Sequence, residues 1–174
     1  ASVECDIYDT AWLVQALEGD TPPLRVADGG VPLRQATGGL VAASPAVWSP
    51  DGRWLYYRAL LDGRIAVWRA AADGSGAEPV TTDDADVRAF ALDADGGTLR
   101  YSVGATREAV RRAEQAEYDR GVRIDASVFI GAGLLGSSRL EGRPATQRLY
   151  GEWFAPGPLL ADVPDRWKRV DLAS

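Results

Sequence analysis

Short runs of alternating apolar and polar residues, separated by Asp-Gly pairs, recur along the first part of the chain. Two of these runs, Trp54–Leu60 and Arg64–Ala71, are rich in aromatic and β-branched residues, which favour strands. Asp-Gly joins antiparallel strands because glycine accepts positive φ and aspartate bonds its own backbone. Each run is therefore predicted to be a strand and each pair a turn. The pairs are Asp51-Gly52, Asp62-Gly63, Asp73-Gly74 and Asp95-Gly96.

Four antiparallel strands are predicted between residues 46 and 81, namely Ala46–Ser49, the two runs above and Glu78–Thr81. Four such strands form one blade of a β-propeller. An internal repeat of 44 residues supports this assignment, since a period of this length is typical of propellers. The residues related by the repeat are Asp51 and Asp95, Gly52 and Gly96, Leu55 and Leu99, and Tyr57 and Tyr101.

The flanking regions predict parts of two more blades. Residues 9–27 read as the second half of an earlier blade, with strands at Asp9–Leu17 and Leu24–Ala27. Residues 87–154 read as a later blade that is interrupted after Val103. Strong helix formers fill residues 106–120, with Thr106 as the N-cap and Gly121 as the stop. Strand character returns at 145–154 and again in the tail at 166–172.

The predicted fold class is therefore all-β. Residues 1–174 are expected to be the incomplete N-terminal part of a β-propeller of four-stranded antiparallel blades, with one inserted helix at about 106–120. Open strand edges invite aggregation, so we expect the chain to occur with further blades, either covalently attached or as a cleaved partner that stays bound.

Composition then limits the chemistry. The net charge of −6 argues against a nucleic-acid partner, and no apolar run is long enough for a membrane span. The chain contains no histidine, so a Ser-His-acid triad cannot lie within it and the commonest transition-metal ligand is absent. We expect no catalytic residue, no metal and no cofactor here. Cys5 is alone and lacks an activating base, so it is interpreted as an ordinary thiol.

The repeat Trp48-Ser49-Pro50-Asp51-Gly52-Arg53, followed by an aromatic strand and two more Asp-Gly turns, resembles the TolB-type propeller repeat. That repeat also builds the propellers of prolyl oligopeptidase-family serine hydrolases. The segments that break the repeat are similar to bacterial lasso-peptide isopeptidases. These segments are Ser102-Val103-Gly104-Ala105-Thr106-Arg107, Glu117-Tyr118-Asp119-Arg120-Gly121-Val122-Arg123-Ile124-Asp125-Ala126 and Ala145-Thr146-Gln147-Arg148-Leu149, with Arg25-Val26-Ala27-Asp28-Gly29-Gly30 earlier in the same order.

The resemblance implies a propeller joined to a C-terminal α/β-hydrolase domain that holds the catalytic Ser, His and acid. Such enzymes hydrolyse the isopeptide bond that closes the ring of a lasso peptide, and the propeller is expected to cover the active site and help select the threaded substrate. The protein would be bacterial, with the cytoplasm favoured over the periplasm. Two alternatives stay open: the propeller of another prolyl oligopeptidase-type peptidase, or a non-enzymatic TolB-like propeller that binds proteins.

The segment Arg123–Leu140 is the candidate substrate-binding element. Phe129, Leu134 and Leu135 would give it apolar contacts with a peptide, as a flap over the substrate entrance. In the other interpretation, this segment is a family-specific addition that packs on the propeller rim and does not bind substrate. The pair Ser137-Ser138 lacks the Gly-x-Ser-x-Gly elbow and is assigned to a loop.

Two further residue groups have plainer interpretations. Asp83, Asp84 and Asp86 match no calcium loop, so a solvated loop between strands is favoured over a calcium site. Of the six tryptophans, four lie on predicted strands at positions 12, 48, 54 and 68, where packing between blades is favoured over an aromatic binding platform.

Overall fold

The structure is a computed structural model that describes residues 10–33, 45–120, 139–140, 143–144, 160 and 163–172. Its elements in chain order are β1 (Thr10–Val14), β2 (Leu24–Gly30), β3 (Ala46–Trp48), β4 (Trp54–Leu61), β5 (Arg64–Ala71), β6 (Ala77–Pro79), β7 (Ala85–Leu92), β8 (Thr98–Thr106), α1 (Arg107–Arg120), β9 (Arg139–Leu140), β10 (Arg143–Pro144) and β11 (Arg166–Asp171).

The chain divides into two compact units. The first contains Ala1–Leu33, Ala43–Val103 and Asp165–Ser174, and the second contains Arg34–Ala42 and Gly104–Pro164. Three sheets make up the described part of the first unit: β1-β2, then β3-β4-β5-β6, then β7, β8 and β11 in the order β11-β8-β7. In the second unit, α1 is followed by the short antiparallel pair β9-β10.

The middle sheet is the predicted four-stranded blade. Strands β4 and β5 pair from Trp54 opposite Ala71 to Leu61 opposite Arg64, and β3 and β6 flank them. The turn between β4 and β5 is Asp62-Gly63, where both residues have positive φ. The predicted strands and turns of this sheet are confirmed.

The middle sheet buries both of its faces because its side chains alternate along each strand. Tyr57, Ala59 and Ala70 pack with Val26 and Ala27 of the first sheet. The opposite face contributes Tyr56 and Val67 to a cluster with residues of the third sheet, which are Ala85, Val87, Leu99, Tyr101 and Val103. Three sheets packed face to face in chain order are the architecture of propeller blades, and the described residues form an all-β, partial β-propeller with one inserted helix.

The 44-residue repeat is visible in the backbone bonds of equivalent turns. The amide of Ser49 donates to the carbonyl of Trp54 at 2.8 Å, and the amide of Asp93 donates to the carbonyl of Thr98 at 2.9 Å. In the same turns Gly52 and Gly96 have φ values of 70° and 73°. The repeat read from the sequence therefore corresponds to a repeat of local structure.

The inserted helix begins where the sequence predicts. The Thr106 hydroxyl accepts a 3.1 Å hydrogen bond from the Ala109 amide, which is the N-cap contact. Glu108 and Arg112, one turn apart, form a 2.7 Å ion pair. The predicted stop at Gly121 lies outside the described residues, as does the predicted strand at 145–154.

The predicted tail strand is confirmed. The sequence did not predict which strand it pairs with. Strand β11 pairs with β8 from Arg166 opposite Val103 to Asp171 opposite Thr98. It is therefore the third strand of the interrupted sheet. Local sequence cannot show this pairing because the partners are separated by the whole insertion. The predicted blade limits stay predictions.

Candidate functional site

The insertion replaces a tight turn at one end of the sheets. Strands β8 and β11 pair as β4 and β5 do, and Ser102 opposite Trp167 corresponds to Arg58 opposite Val67. In the middle sheet the two strands are joined by Asp62-Gly63, whereas in the third sheet they are separated by residues 107–165. We use the name insertion end for the part of the first unit that lies next to these connections. It is formed by Leu61–Arg64, Asp83–Arg88, Val103 and Asp165–Lys168.

A buried carboxylate holds the returning strand at the insertion end. Asp83 lies before β7, and its side chain is only 4% exposed. Its carboxylate accepts bonds from Lys168 of β11 at 2.5 Å, from the Tyr101 hydroxyl at 3.2 Å and from the Ala85 amide at 3.1 Å. Burial raises the pKa of Asp83, but the Lys168 ammonium and the Ala85 amide outweigh burial and lower the pKa to about 2.

A second ion pair joins the same two strands. Arg88 of β7 donates to Asp165, just before β11, at 2.6 Å, and this bond lowers the pKa of Asp165. The neighbouring Asp86 accepts a 3.0 Å bond from the Ile65 amide of β5. Residues on both sides of the insertion are therefore fixed to one another and to the middle sheet.

The structure revises the interpretation of the acidic run before β7. The solvated-loop interpretation is wrong for Asp83, because its carboxylate is buried against Lys168. Asp86 is also engaged, with the Ile65 amide. Among the described residues no group of three His, Cys, Asp or Glu side chains could hold a metal ion. The acidic run stabilises the packing of two sheets.

The predicted substrate-binding residues Phe129, Leu134 and Leu135 lie outside the described residues. The same is true of Cys5, of Ser137-Ser138 and of Trp153. The described residues therefore place the two ends of the insertion and not its central part.

The tryptophans divide into two groups. Trp12, Trp54 and Trp68 are partly buried against the clusters between sheets, which confirms their packing role. The same prediction is wrong for Trp48, which is 45% exposed because it ends the short edge strand β3. Trp167 on β11 is also exposed, at 60%.

Sequence reasoning missed the two ion pairs at the insertion end. Lys168 follows Asp83 by 85 positions, and Asp165 follows Arg88 by 77 positions. No local pattern links partners so far apart. The one signal available was the strand character of the tail, which carries Lys168.

The ion pair of Asp83 gives a prediction about acid stability. A carboxyl whose pKa is lowered by folding stabilises the protein above its unfolded pKa, and this stabilisation is lost as pH falls toward the folded pKa. Asp83 should therefore contribute to a loss of stability as the pH falls from about 4 to about 2. Replacing Lys168 by methionine should cost about 1–3 kcal/mol near pH 7, because it leaves a buried carboxylate without its cation.

The measurement is the free energy of unfolding across this pH range for wild type, Lys168→Met and Arg64→Met. Arg64 is an exposed cation on β5 and serves as the matched control, with an expected change below about 0.5 kcal/mol. If Lys168→Met were no more destabilising than Arg64→Met, the structural role assigned to the Asp83 pair would be wrong.

Fold and site together define the class as an all-β partial propeller that carries an insertion in its third sheet. Among the described residues, no helix is both long and apolar enough to span a membrane. No protein-family model matches the chain.

Comparison with curated proteins gives a specific relative. The lasso peptide isopeptidase AtxE2 of Asticcacaulis excentricus is 35% identical over 100 residues, which cover 52% of this chain and 14% of AtxE2. The chain thus matches only a small part of that enzyme's length. The resemblance to bacterial lasso-peptide isopeptidases that the sequence suggests is confirmed.

Two solved structures of the same enzyme are also similar. The first is an AtxE2 isopeptidase variant with Astexin3-dC4 bound; it has a TM-score of 0.69 at 25% identity and covers 99% of this chain and 24% of its own. The second, apo AtxE2 isopeptidase, has a TM-score of 0.57 at 26% identity and covers 93% of this chain and 23% of its own. Both matches cover nearly the whole chain and about a quarter of the enzyme's own length.

Proposed function

We propose that this chain is the substrate-gating propeller portion of a bacterial serine isopeptidase, which linearises lasso peptides by hydrolysing their macrocyclic isopeptide bond. The observation that carries the proposal is the likeness of 99% of the chain, at a TM-score of 0.69, to an AtxE2 isopeptidase variant with Astexin3-dC4 bound. The 35% identity to AtxE2 over 100 residues supports the same assignment.

The composition of the chain indicates where the catalytic residues of such an enzyme would lie. The chain has no histidine, so a Ser-His-acid triad would lie in an accompanying α/β-hydrolase domain of the prolyl oligopeptidase type. The partners of the chain would be the rest of that enzyme and the lasso peptide. The cytoplasm is the favoured compartment, ahead of the periplasm.

In this proposal the insertion contacts the substrate. A two-residue turn is sufficient to join β4 and β5, so the long segment between β8 and β11 is not needed to form the third sheet. Segments of this length inside compact domains are commonly functional. Phe129, Leu134 and Leu135 would supply apolar contacts to the peptide, while the ion pairs of Asp83 and Arg88 hold the C-terminal end of the insertion and the strand that follows it.

Deleting residues 127–138 from the whole enzyme tests this role. We expect the kcat/KM for a lasso peptide to fall at least about tenfold, while the kcat/KM for a small ester changes less than about twofold. The reason is that a small ester reaches the nucleophile without touching the insertion. An equal loss on both substrates would reject a substrate-gating role.

A second variant separates apolar contact from loop length. Phe129→Ala, Leu134→Ala and Leu135→Ala combined keep every residue of the backbone and remove the apolar side chains. We expect this variant to show a selective loss on the lasso peptide in the same direction as the deletion. Full activity of the triple variant on the lasso peptide would remove these three residues from the proposed binding surface.

A further inference from the structure

The four Asp-Gly pairs at turns of the first unit can all undergo the same spontaneous reaction. The glycine amide nitrogen attacks the side-chain carboxyl carbon of the aspartate, since glycine has no side chain that hinders the approach. The attack closes a succinimide ring and releases one water. Hydrolysis of the ring takes up one water and leaves aspartate or isoaspartate, in which the main chain runs through the former side chain. The reaction needs a protonated carboxyl group and an amide that can give up its proton.

Three of the four pairs hold both reacting groups in hydrogen bonds. The carboxylates of Asp51, Asp73 and Asp95 each accept a bond from the amide two residues further along the chain, at 3.0, 2.9 and 2.9 Å. The amides of the glycines that follow them donate to main-chain carbonyls at 2.9, 3.0 and 2.8 Å. Both contacts must break before the ring can close, so the local structure protects these pairs.

Two of these carboxyl groups are also held in their ionised form. The Ser49 hydroxyl donates to the Asp51 carboxylate at 2.5 Å and lowers the pKa of Asp51. A hydrogen bond from the Ser75 side chain lowers the pKa of Asp73 in the same way. The ring closes from the protonated carboxyl group, so a lowered pKa reduces the reactive fraction at neutral pH.

Asp62-Gly63 has neither kind of protection. Within the part of the chain that the structure describes, no hydrogen bond or ion pair holds the Asp62 side chain or the Gly63 amide. Nothing lies within 4 Å of a Cβ added to Gly63, so the turn is open to solvent. Exposure alone does not distinguish this pair, because Asp51, Asp73 and Asp95 are exposed too. The difference lies in the contacts of the reacting groups.

We propose that Asp62-Gly63 is the modification site at which the described chain converts most readily to isoaspartate, through a succinimide closed by the Gly63 amide nitrogen. The product has one extra main-chain carbon in the two-residue turn between β4 and β5. Both turn residues have positive φ, at 50° and 71°, and they close the pairing of Leu61 with Arg64. The extra carbon would disrupt this pairing at the insertion end. The proposal does not depend on the proposed function.

Incubation in water enriched in heavy oxygen tests the proposal on the whole protein. Hydrolysis of the ring adds a heavy oxygen atom, and mass spectrometry compares the peptides that contain the four pairs. A protease that cleaves before aspartate identifies isoaspartate, because it does not cleave there. We expect incorporation at Asp62 to be at least about fivefold faster than at each other pair, since no pair of hydrogen bonds must break first. Equal rates, or a faster rate at another of the four pairs, would overturn the proposal.

Unfolding in urea supplies the control for sequence. The four rates should then agree to within about twofold, because each pair retains the same chemistry and loses its native contacts. If the spread seen in the native protein persisted in urea, the fold would not be its cause and the proposal would be wrong.

The variant Asp62→Glu supplies the control for the reacting group. Its carboxyl group lies one methylene further from the main chain, so the five-membered ring cannot form. We expect incorporation in this peptide to stop, while the rates at Asp51, Asp73 and Asp95 stay unchanged. Continued incorporation in the Asp62→Glu peptide at the wild-type rate would also overturn the proposal.

Discussion

Replacing Tyr57 by alanine is expected to lower the free energy of unfolding by roughly 3–5 kcal/mol. Tyr57 is fully buried at the centre of the first interface between sheets, and its ring contacts Trp12. Removing the ring leaves a cavity lined by Val26, Ala27 and Ala59, which belong to two different sheets. Such a cavity cannot close without moving one sheet toward the other.

The control for Tyr57→Ala is Tyr57→Phe, which keeps the ring and removes the hydroxyl. Burial raises the pKa of Tyr57 to about 12, so the residue is neutral over the working range and no charge is lost in either variant. We expect Tyr57→Phe to cost at most about 1.5 kcal/mol. Denaturant unfolding of the protein measures both. A cost below about 1 kcal/mol for Tyr57→Ala would contradict the packing between the first two sheets.

The second large effect is expected at Gly96, in the turn between β7 and β8. Its φ is +73°, and an added Cβ would lie 2.6 Å from Cδ of Pro50, in the equivalent turn of the middle sheet. Gly96→Ala therefore combines left-handed backbone strain of about 1–2 kcal/mol with a steric overlap of about 1–3 kcal/mol. The proline ring cannot move aside as a flexible side chain would.

Gly52 provides a matched control for Gly96. It occupies the same position one repeat earlier, its φ is +70°, and nothing lies within 4 Å of an added Cβ. Gly52→Ala should show the backbone strain alone, so the difference between the two variants measures the contact between turns. Thermal unfolding of both variants gives this difference. Equal costs would show that the two turns do not pack as the structure has them.

Sequence alone predicted the regular part of the fold well. Strands β4 and β5 and the turns at Asp51-Gly52 and Asp95-Gly96 follow from alternation and turn chemistry, which are local properties. The helix start at Thr106 was predictable for the same reason. The pairing of β11 with β8 could not be predicted, because it depends on where the chain rejoins the sheet after the long insertion.

At the candidate site, too, the local features could be predicted from the sequence and the long-range contacts could not. The position of the insertion could be found from the point after Val103 where the repeat fails. The ion pair between Asp83 and Lys168 could not be found from the sequence, because only the folded sheet brings the two residues together. Exposure was mispredicted for Trp48, because a strand pattern does not reveal that β3 is a short edge strand.

These observations suggest a division of roles between the sheets and the insertion. Neighbouring sheets share buried clusters: Trp12 packs with Tyr57 of the following sheet, and Val67 shares a cluster with Tyr101 of the following sheet. The insertion occupies the place of a turn, and the ion pairs of Asp83 and Arg88 hold its C-terminal end and the strand that follows it. In the proposed function the sheets therefore provide a rigid frame, and the insertion provides selectivity.

The most direct test of the account is to incubate the whole enzyme with a threaded lasso peptide and follow the peptide by mass spectrometry. We expect the peptide to gain the mass of one water, and fragmentation to place the new termini at the former isopeptide bond, with the deletion of 127–138 slowing this conversion selectively. A peptide that stays unchanged, while the same preparation hydrolyses ordinary linear oligopeptides or a small ester, would contradict the account.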